Sequence, residues 1–355
     1  MLLVAADVID LVGVFVALAV YSAFAMSGRS LNSETANAAQ IPPRRPRLDS
    51  PLRVGEPRTH MSGPLQTLLD ALNVKPLGDD RFEARSIEFL RPRVFGGELL
   101  AQVLATAART VQDRACHAIH VGFLFPGDPK IPIEYRVRRV RDGRRFVQRQ
   151  VSGYQRGREI VLATVSFTTD SVDAVGFQHE RMPEVPGPEG LTSELDQRLL
   201  VADRLAPEHR PWLTMPRAVE VRQVCPVPLF DPPPVPPIAH TWIKAAAAMP
   251  DDQALHCAVL AYASDATLLD IACYPHGVSW ISPNAQQASL SHGMWFHRPV
   301  RIDEWLLYSQ HVASSAGGRA IARGSVFTCD GALVASVVQE GLSQIAPGDS
   351  ALGGR

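Results

Sequence analysis

Twice along this chain a helix-patterned apolar segment leads into a run of long strand-like segments. At their clearest points the copies lie about 172 residues apart, the interval from His120 to His292. A repeat of that size means two similar units, each of which must bury a helix against a sheet to have a core. In the first copy Gly96 and Gly97 precede ELLAQVLATAARTV, where Leu99, Val103, Leu104 and Ala107 share one helical face. From Ala118 to Thr168 follow the runs IHVGFLFPGD, IPIEYRVRRV, RRFVQRQVSGYQ and REIVLATVSFTT, separated by Pro-Gly-Asp, Asp-Gly and Arg-Gly turns. That is the pattern of an antiparallel meander. In the second copy AVEVRQV and HTWIKA read as strands, DDQALHCAVLAYASDATLLDIAC as one long helix, and Gly293 to Leu342 as further long strands. The hairpin YQRGREIVLATVSF has its counterpart in FTCDGALVASVVQ. The predicted class is α+β: two tandem long helices, each wrapped by a strongly curved antiparallel sheet.

At 355 residues the chain has room for two medium domains. The first is predicted over residues 61–170 and the second over 217–346. Between them, residues 171–216 turn acidic and proline-containing and read as a linker, and residues 347–355 read as a tail. Met61 opens MSGPLQTLLDALNV, with Leu65, Leu68, Leu69 and Leu72 at helical spacing. Much of what precedes it is rich in Pro, Arg and Ser, so residues 1–60 are expected to be an extension outside the fold, either disordered or upstream of the true start. Leu11 to Ala25 is uncharged and apolar and ends in Ala23-Phe24-Ala25, which resembles a cleavage site. Asp7 and Asp10 precede it without any Lys or Arg, so a signal or anchor over residues 1–25 is the alternative reading.

A hydrophobic fraction of 46% and a charged fraction of 20% are those of an ordinary globular protein. The formal charge of -1 provides no long-range attraction for nucleic acid. The five cysteines are odd in number, scattered and without a C-x-x-C pair, which argues against a metal site or disulfide framework and for the cytoplasm. No metal or other cofactor is expected.

The stretch VFGGELLAQVLATAARTV, followed by HAIHVGFLFPGDPKIPIEYRVRRVRDGRRFVQRQVSGYQRGREIVLATVSF, resembles the first unit of the type II acyl-CoA thioesterases. LAYASDATLLD, then ASLSHGMWFHRPVRIDEWLLYSQHVASSAGGRAIARG, then DGALVASVVQEGL, resembles the second. The resemblance implies a double hot-dog fold, hydrolysis of acyl-CoA to fatty acid and CoA, a place in lipid metabolism, and association into homo-oligomers. It also implies a catalytic set of Asp, Ser or Thr, and Gln that holds and activates water, which falls on Asp265, Ser289 and Gln339. The first-unit position matching Gln339 is near Phe167, so the chemistry belongs to the second unit. The chain departs from the family pattern at Ser291, where an Asp is common, and at Glu98, where a Gln is common.

Read for their chemistry, these residues fit the expectation. Asp265 lies in a helical, apolar context where a carboxylate must be paired or used. Ser289 lies in no G-x-S-x-G elbow, so its hydroxyl is better suited to hold water than to attack. Gln339 falls among Val337, Val338 and Leu342, where an amide needs partners. Gly96 and Gly97 are candidates for close approach of a thioester carbonyl, and also for helix–sheet packing. Glu98 at the helix start would either alter substrate contact or merely suit the helix dipole. Arg144 and Arg145, in an arginine-rich hairpin, are candidates for the phosphates of coenzyme A, the alternative being the wet face of a sheet. His117, His120, His292 and His297 read as structural. A hydratase or dehydratase using His292 with an Asp, and a non-catalytic acyl-CoA binder, are the two other readings.

Overall fold

The computed structural model describes residues 63–87, 93–169 and 175–346, so the extension over 1–60 and the tail over 347–355 lie outside the described residues. Helix α1 (Pro64–Leu72) starts on proline, whose fixed φ suits a first helical position, and buries Leu65, Leu68 and Leu72. A short hairpin of β1 (Lys75–Gly78) and β2 (Arg81–Ala84) leads to α2 (Gly96–Ala108). Then come β3 (Ala115–Phe123), β4 (Ile133–Asp142), β5 (Phe146–Gln155) and β6 (Arg158–Thr168). Burial alternates residue by residue along β5, as it must when one sheet face covers a core and the other meets solvent.

Short helices α3 (Glu194–Leu200) and α4 (Arg210–Leu213) occupy the stretch read as a linker, and they bury Arg198 and Leu213. The second unit holds β7 (Val219–Gln223), β8 (Ile238–Ala245), α5 (Gln253–Ser264), β9 (Ala285–Phe296), β10 (Leu306–Ala316), β11 (Arg319–Thr328) and β12 (Leu333–Ile345). All twelve strands form one antiparallel sheet in the order β1-β2-β4-β5-β6-β3-β9-β12-β11-β10-β8-β7. The two units therefore meet edge to edge through β3 and β9, while α2 and α5 pack together on the inner face. Both helices are buried on nearly every side, as central helices are. This is the hot-dog arrangement built twice.

A common device ties each sheet to its helix. A Cβ on Gly153 would lie 2.8 Å from the Tyr135 ring, and one on Gly324 would lie 2.2 Å from the Tyr308 ring, so each glycine makes room for a tyrosine. The Tyr135 hydroxyl donates to Gln102 Oε1 of α2 at 2.9 Å, and the Tyr308 hydroxyl donates to the Ser264 carbonyl of α5 at 3.1 Å.

Two expectations need correction. The long helix across residues 251–273 stops at Ser264, and after a turn the chain resumes as a 3₁₀ segment, Asp270–His276. Apolar residues continue through the break because Leu268, Leu269 and Ile271 are buried too, so periodicity hid it. His120 and His292 are also not equivalent. His292 pairs across the sheet with Val121 and is buried, whereas His120 pairs with Gly293 and is exposed. A one-residue slip puts a side chain on the opposite face.

Candidate active site

Asp265 is the C-cap of α5, where the backbone leaves the helix and the N–H of the next residue, Ala266, reaches back to the Ala263 carbonyl at 3.1 Å. Its side chain is thereby directed away from the helix ladder and toward β9 and β12. Ser289 Oγ, on β9, donates to Asp265 Oδ1 at 3.0 Å. Gln339 Nε2, on β12, donates to the same Oδ1 at 2.6 Å and to Ser289 Oγ at 2.8 Å. The three residues form a closed triangle. Its polarity is dictated by the carboxylate: an ionised Asp only accepts, so the Gln339 amide must present nitrogen to it, and the Ser289 proton is committed to Oδ1.

The strand geometry that makes this triangle is irregular. In the β9–β12 ladder Ser291 pairs with Glu340 and Ser289 with Gly341, so Leu290 is an extra, unpaired residue. Such a bulge reverses the alternation locally. As a result Ser289 and His292, three positions apart, both turn toward Asp265. Ser291, next to His292, falls on the other face of the strand, and its departure from the family pattern leaves the triangle intact.

His292 is the neighbour that sequence reasoning read as structural. Its Nδ1 lies 3.8 Å from Asp265 Oδ1 and its Nε2 lies 3.0 Å from Ser264 Oγ. Ser264 spends its own proton on the Ala261 carbonyl at 2.8 Å, so His292 must donate from Nε2 and keep Nδ1 bare. Burial pushes the imidazole pKa down to about 3, which keeps it neutral beside the carboxylate. Two acceptors beside the carboxylate, His292 Nδ1 and Gln339 Oε1, are buried and make no hydrogen bond among the described residues.

Asp265 and Ser289 open onto a cavity of about 640 Å³, whereas Gln339 and His292 stand behind them and do not line it. Its walls are largely apolar, including Phe95, Leu99, Phe123, Trp212, Met215 and Trp280, with Arg93, Arg198 and Arg217 as the cationic residues. The amino terminus of α2 closes one side. A Cβ on Gly96 would lie 2.6 Å from Asp265 Oδ2, so this glycine faces the carboxylate oxygen not occupied by Ser289 and Gln339. A Cβ on Gly97 would lie 2.4 Å from the Tyr262 carbonyl, so Gly97 serves the close contact of α2 with α5.

Glu98, next along α2, is buried and accepts from Ile87 N at 2.8 Å and Gln102 Nε2 at 3.2 Å. Burial raises its pKa to about 8, so at neutral pH it is largely protonated and does not serve the helix dipole as a carboxylate. Arg144 and Arg145 lie in the turn between β4 and β5 and do not line the cavity. Nearby arginines are engaged in the sheet: Arg139 donates to Asp80 at 2.7 Å, and Arg149 donates to Asp142 at 2.5 Å. Among the described residues no three His, Cys, Asp or Glu side chains cluster as metal ligands, and no helix is long and apolar enough to cross a membrane.

Residues 233–342 match a family model described as acyl-CoA thioesterase, and residues 86–168 match one described as acyl-CoA thioesterase N-terminal domain. The chain is 33% identical over 309 residues to acyl-coenzyme A thioesterase 8 of Homo sapiens, spanning 82% of this chain and 93% of that one. It is 33% identical over 284 residues to acyl-CoA thioesterase 2 of Haemophilus influenzae, spanning 79% and 98%. A solved structure of an acyl-CoA thioesterase II from Mycobacterium marinum is similar at a TM-score of 0.63 and 34% identity, over 79% of this chain and 98% of that one.

Proposed function

From the premise that the chain belongs to the acyl-CoA thioesterase family, we propose that it hydrolyses acyl-CoA thioesters with a water activated by Asp265. The observation that carries this reading is the triangle in the cavity wall: Ser289 and Gln339 both bind Oδ1, while Oδ2 faces Gly96 at the amino terminus of α2. A water held at Oδ2 and Ser289 gives up a proton to Asp265 as its oxygen bonds to the thioester carbon. General-base help of this kind is worth about 10² to 10⁴ in rate. Charge gathers on the carbonyl oxygen, and the first turn of α2 at Gly96 offers a positive dipole end to meet it. The C–S bond then breaks, the thiolate of CoA leaves, and the proton held on Asp265 neutralises it.

In this scheme Gln339 is a positioning residue. It acts through Asp265 and Ser289, since it lies behind both and outside the cavity wall. The geometry favours hydrolysis over hydration of an enoyl-CoA. A hydratase needs an imidazole that reaches the substrate, and His292 is turned onto Ser264 behind the carboxylate. The five cysteines are unpaired, in keeping with the cytoplasm as the enzyme's compartment. Homo-oligomerisation is part of the same reading, and light scattering tests it.

Thiol release from octanoyl-CoA and palmitoyl-CoA tests the activity. A single turnover in H₂¹⁸O tests the route: direct attack puts one solvent oxygen into the acid without a burst of CoA. A burst, or absence of any thiol release, overturns this function or its mechanism.

A further inference from the structure

Arg217 stands just before β7 and lines two cavities at once. One is the cavity of Asp265; the other is a neighbour of about 250 Å³ that shares Arg198, Met215, Arg217, Val219 and Val221 with it. Arg217 Nη2 is shielded from solvent and makes no hydrogen bond among the described residues. Of the acids lining the smaller cavity, Glu194 pairs with Arg198, Glu220 accepts from Arg222 at 2.7 Å and Asp196 accepts from Ser193 at 2.7 Å. Among the described residues no carboxylate, Asp265 and Asp270 of the larger cavity included, forms an ion pair with Arg217. A guanidinium cannot shed its charge, and burying part of it without a counter-ion is costly. Arg198, a buried cation of the same wall, has its ion pair and also faces the Trp280 ring. Arg93 is exposed to solvent. Arg217 is therefore the cation here with donors to spare.

We propose that Arg217 is the anion-recognising residue of the substrate cavity, binding phosphate or carboxylate oxygens carried by the acyl-CoA. Guanidinium meets either group through two parallel N–H bonds. The two sources are the phosphates of the CoA moiety and a carboxylate on the acyl chain. The inference rests on the thioesterase reading for the identity of the ligand, and its test is a binding measurement that needs no turnover.

The test is calorimetric titration of the full-length protein with three unreactive thioethers: S-octyl-pantetheine, S-octyl-CoA and S-(7-carboxyheptyl)-pantetheine. The first carries no anion, the second only phosphates, and the third only a carboxylate. In Arg217→Met, Kd for one of the two anionic ligands is expected to rise by about 10-fold or more, the worth of a hydrogen bond to a charged group. Kd for S-octyl-pantetheine is expected to stay unchanged, and Arg217→Lys is expected to recover part of the loss. Which anionic ligand responds identifies the source. Equal weakening of all three ligands, no change in any, or no binding by the wild type overturns the proposal. Arg217→Lys, checked for a wild-type melting temperature, keeps the test valid if Arg217→Met does not fold. Failure of the thioesterase reading shows separately, as absence of thiol release from octanoyl-CoA by the wild type.

Discussion

Gln339 Nε2 donates to Asp265 Oδ1 at 2.6 Å, joining the chain's last strand, in the middle of the sheet, to the end of the second central helix. Replacing this donor by an acceptor of the same shape tests what the bond does. In Gln339→Glu two carboxyls share one site and titrate in two steps, and where both are ionised the donor to Oδ1 is lost and the charges repel. At pH 7 we expect kcat to fall by about 10²-fold or more, by the usual worth of general-base help. Lowering the pH should partly restore it, because a protonated Glu donates again. A pH–rate profile of the variant checks this, and a profile parallel to the wild type contradicts it.

Ser289 donates to Asp265 and accepts from Gln339, so its hydroxyl orders the triangle and holds the water without being acylated. Ser289→Thr keeps the hydroxyl and should retain activity within about tenfold. Ser289→Ala should lose about 10- to 100-fold in kcat, corresponding to one or two hydrogen bonds to a charged group. Mass spectrometry of the wild type quenched during turnover should show no acyl adduct on Ser289.

Gly96 and Gly97 should separate activity from stability. A methyl on Gly97 meets the Tyr262 backbone oxygen at 2.4 Å, where neither helix can yield cheaply. Overpacking of that kind costs about 1–3 kcal/mol, so Gly97→Ala should melt several degrees lower. A methyl on Gly96 meets Asp265 Oδ2 at 2.6 Å. Gly96→Ala should therefore lower kcat by about tenfold or more, since a small misplacement of a catalytic group is costly in rate, with a smaller thermal effect. Thermal melts and initial rates on the two variants decide it.

Glu98 should give the fold a pH-dependent stability. Burial raises its pKa from 4.5 to about 8, so the folded chain holds this proton more tightly than the unfolded one. The stabilisation is fully present below 4.5 and is lost as pH rises through about 8. Glu98→Gln keeps an acceptor for Ile87 N and has nothing to ionise. The wild-type melting temperature, relative to this variant, should fall between about pH 5 and pH 8, where each pKa unit is worth about 1.4 kcal/mol. Parallel melting curves across that range would show that Glu98 does not titrate with folding.

The repeat was legible because a buried helix and alternating strands write their periods into the sequence, and the match of YQRGREIVLATVSF with FTCDGALVASVVQ survives as hairpins β5–β6 and β11–β12. The grouping of Asp265, Ser289 and Gln339 came from family resemblance. Their alternation could not reveal it, because the bulge at Leu290 breaks the period between Ser289 and His292. The end of α5 at Asp265 was hidden by apolar residues that stay buried past the break. Arg217 carries no local signal: its meaning depends on Glu194 and Glu220 being taken by other arginines. Arg144 and Arg145, a dense basic run, lie in a turn that does not line the cavity.

The most direct test of the account is kcat for thiol release from saturating octanoyl-CoA by Asp265→Asn, which matches the wild type in shape and lacks only the basic oxygen. We expect a fall of about 10²- to 10⁴-fold with the melting temperature and KM little changed. A kcat within about threefold of the wild type would contradict the assignment of Asp265 as the base.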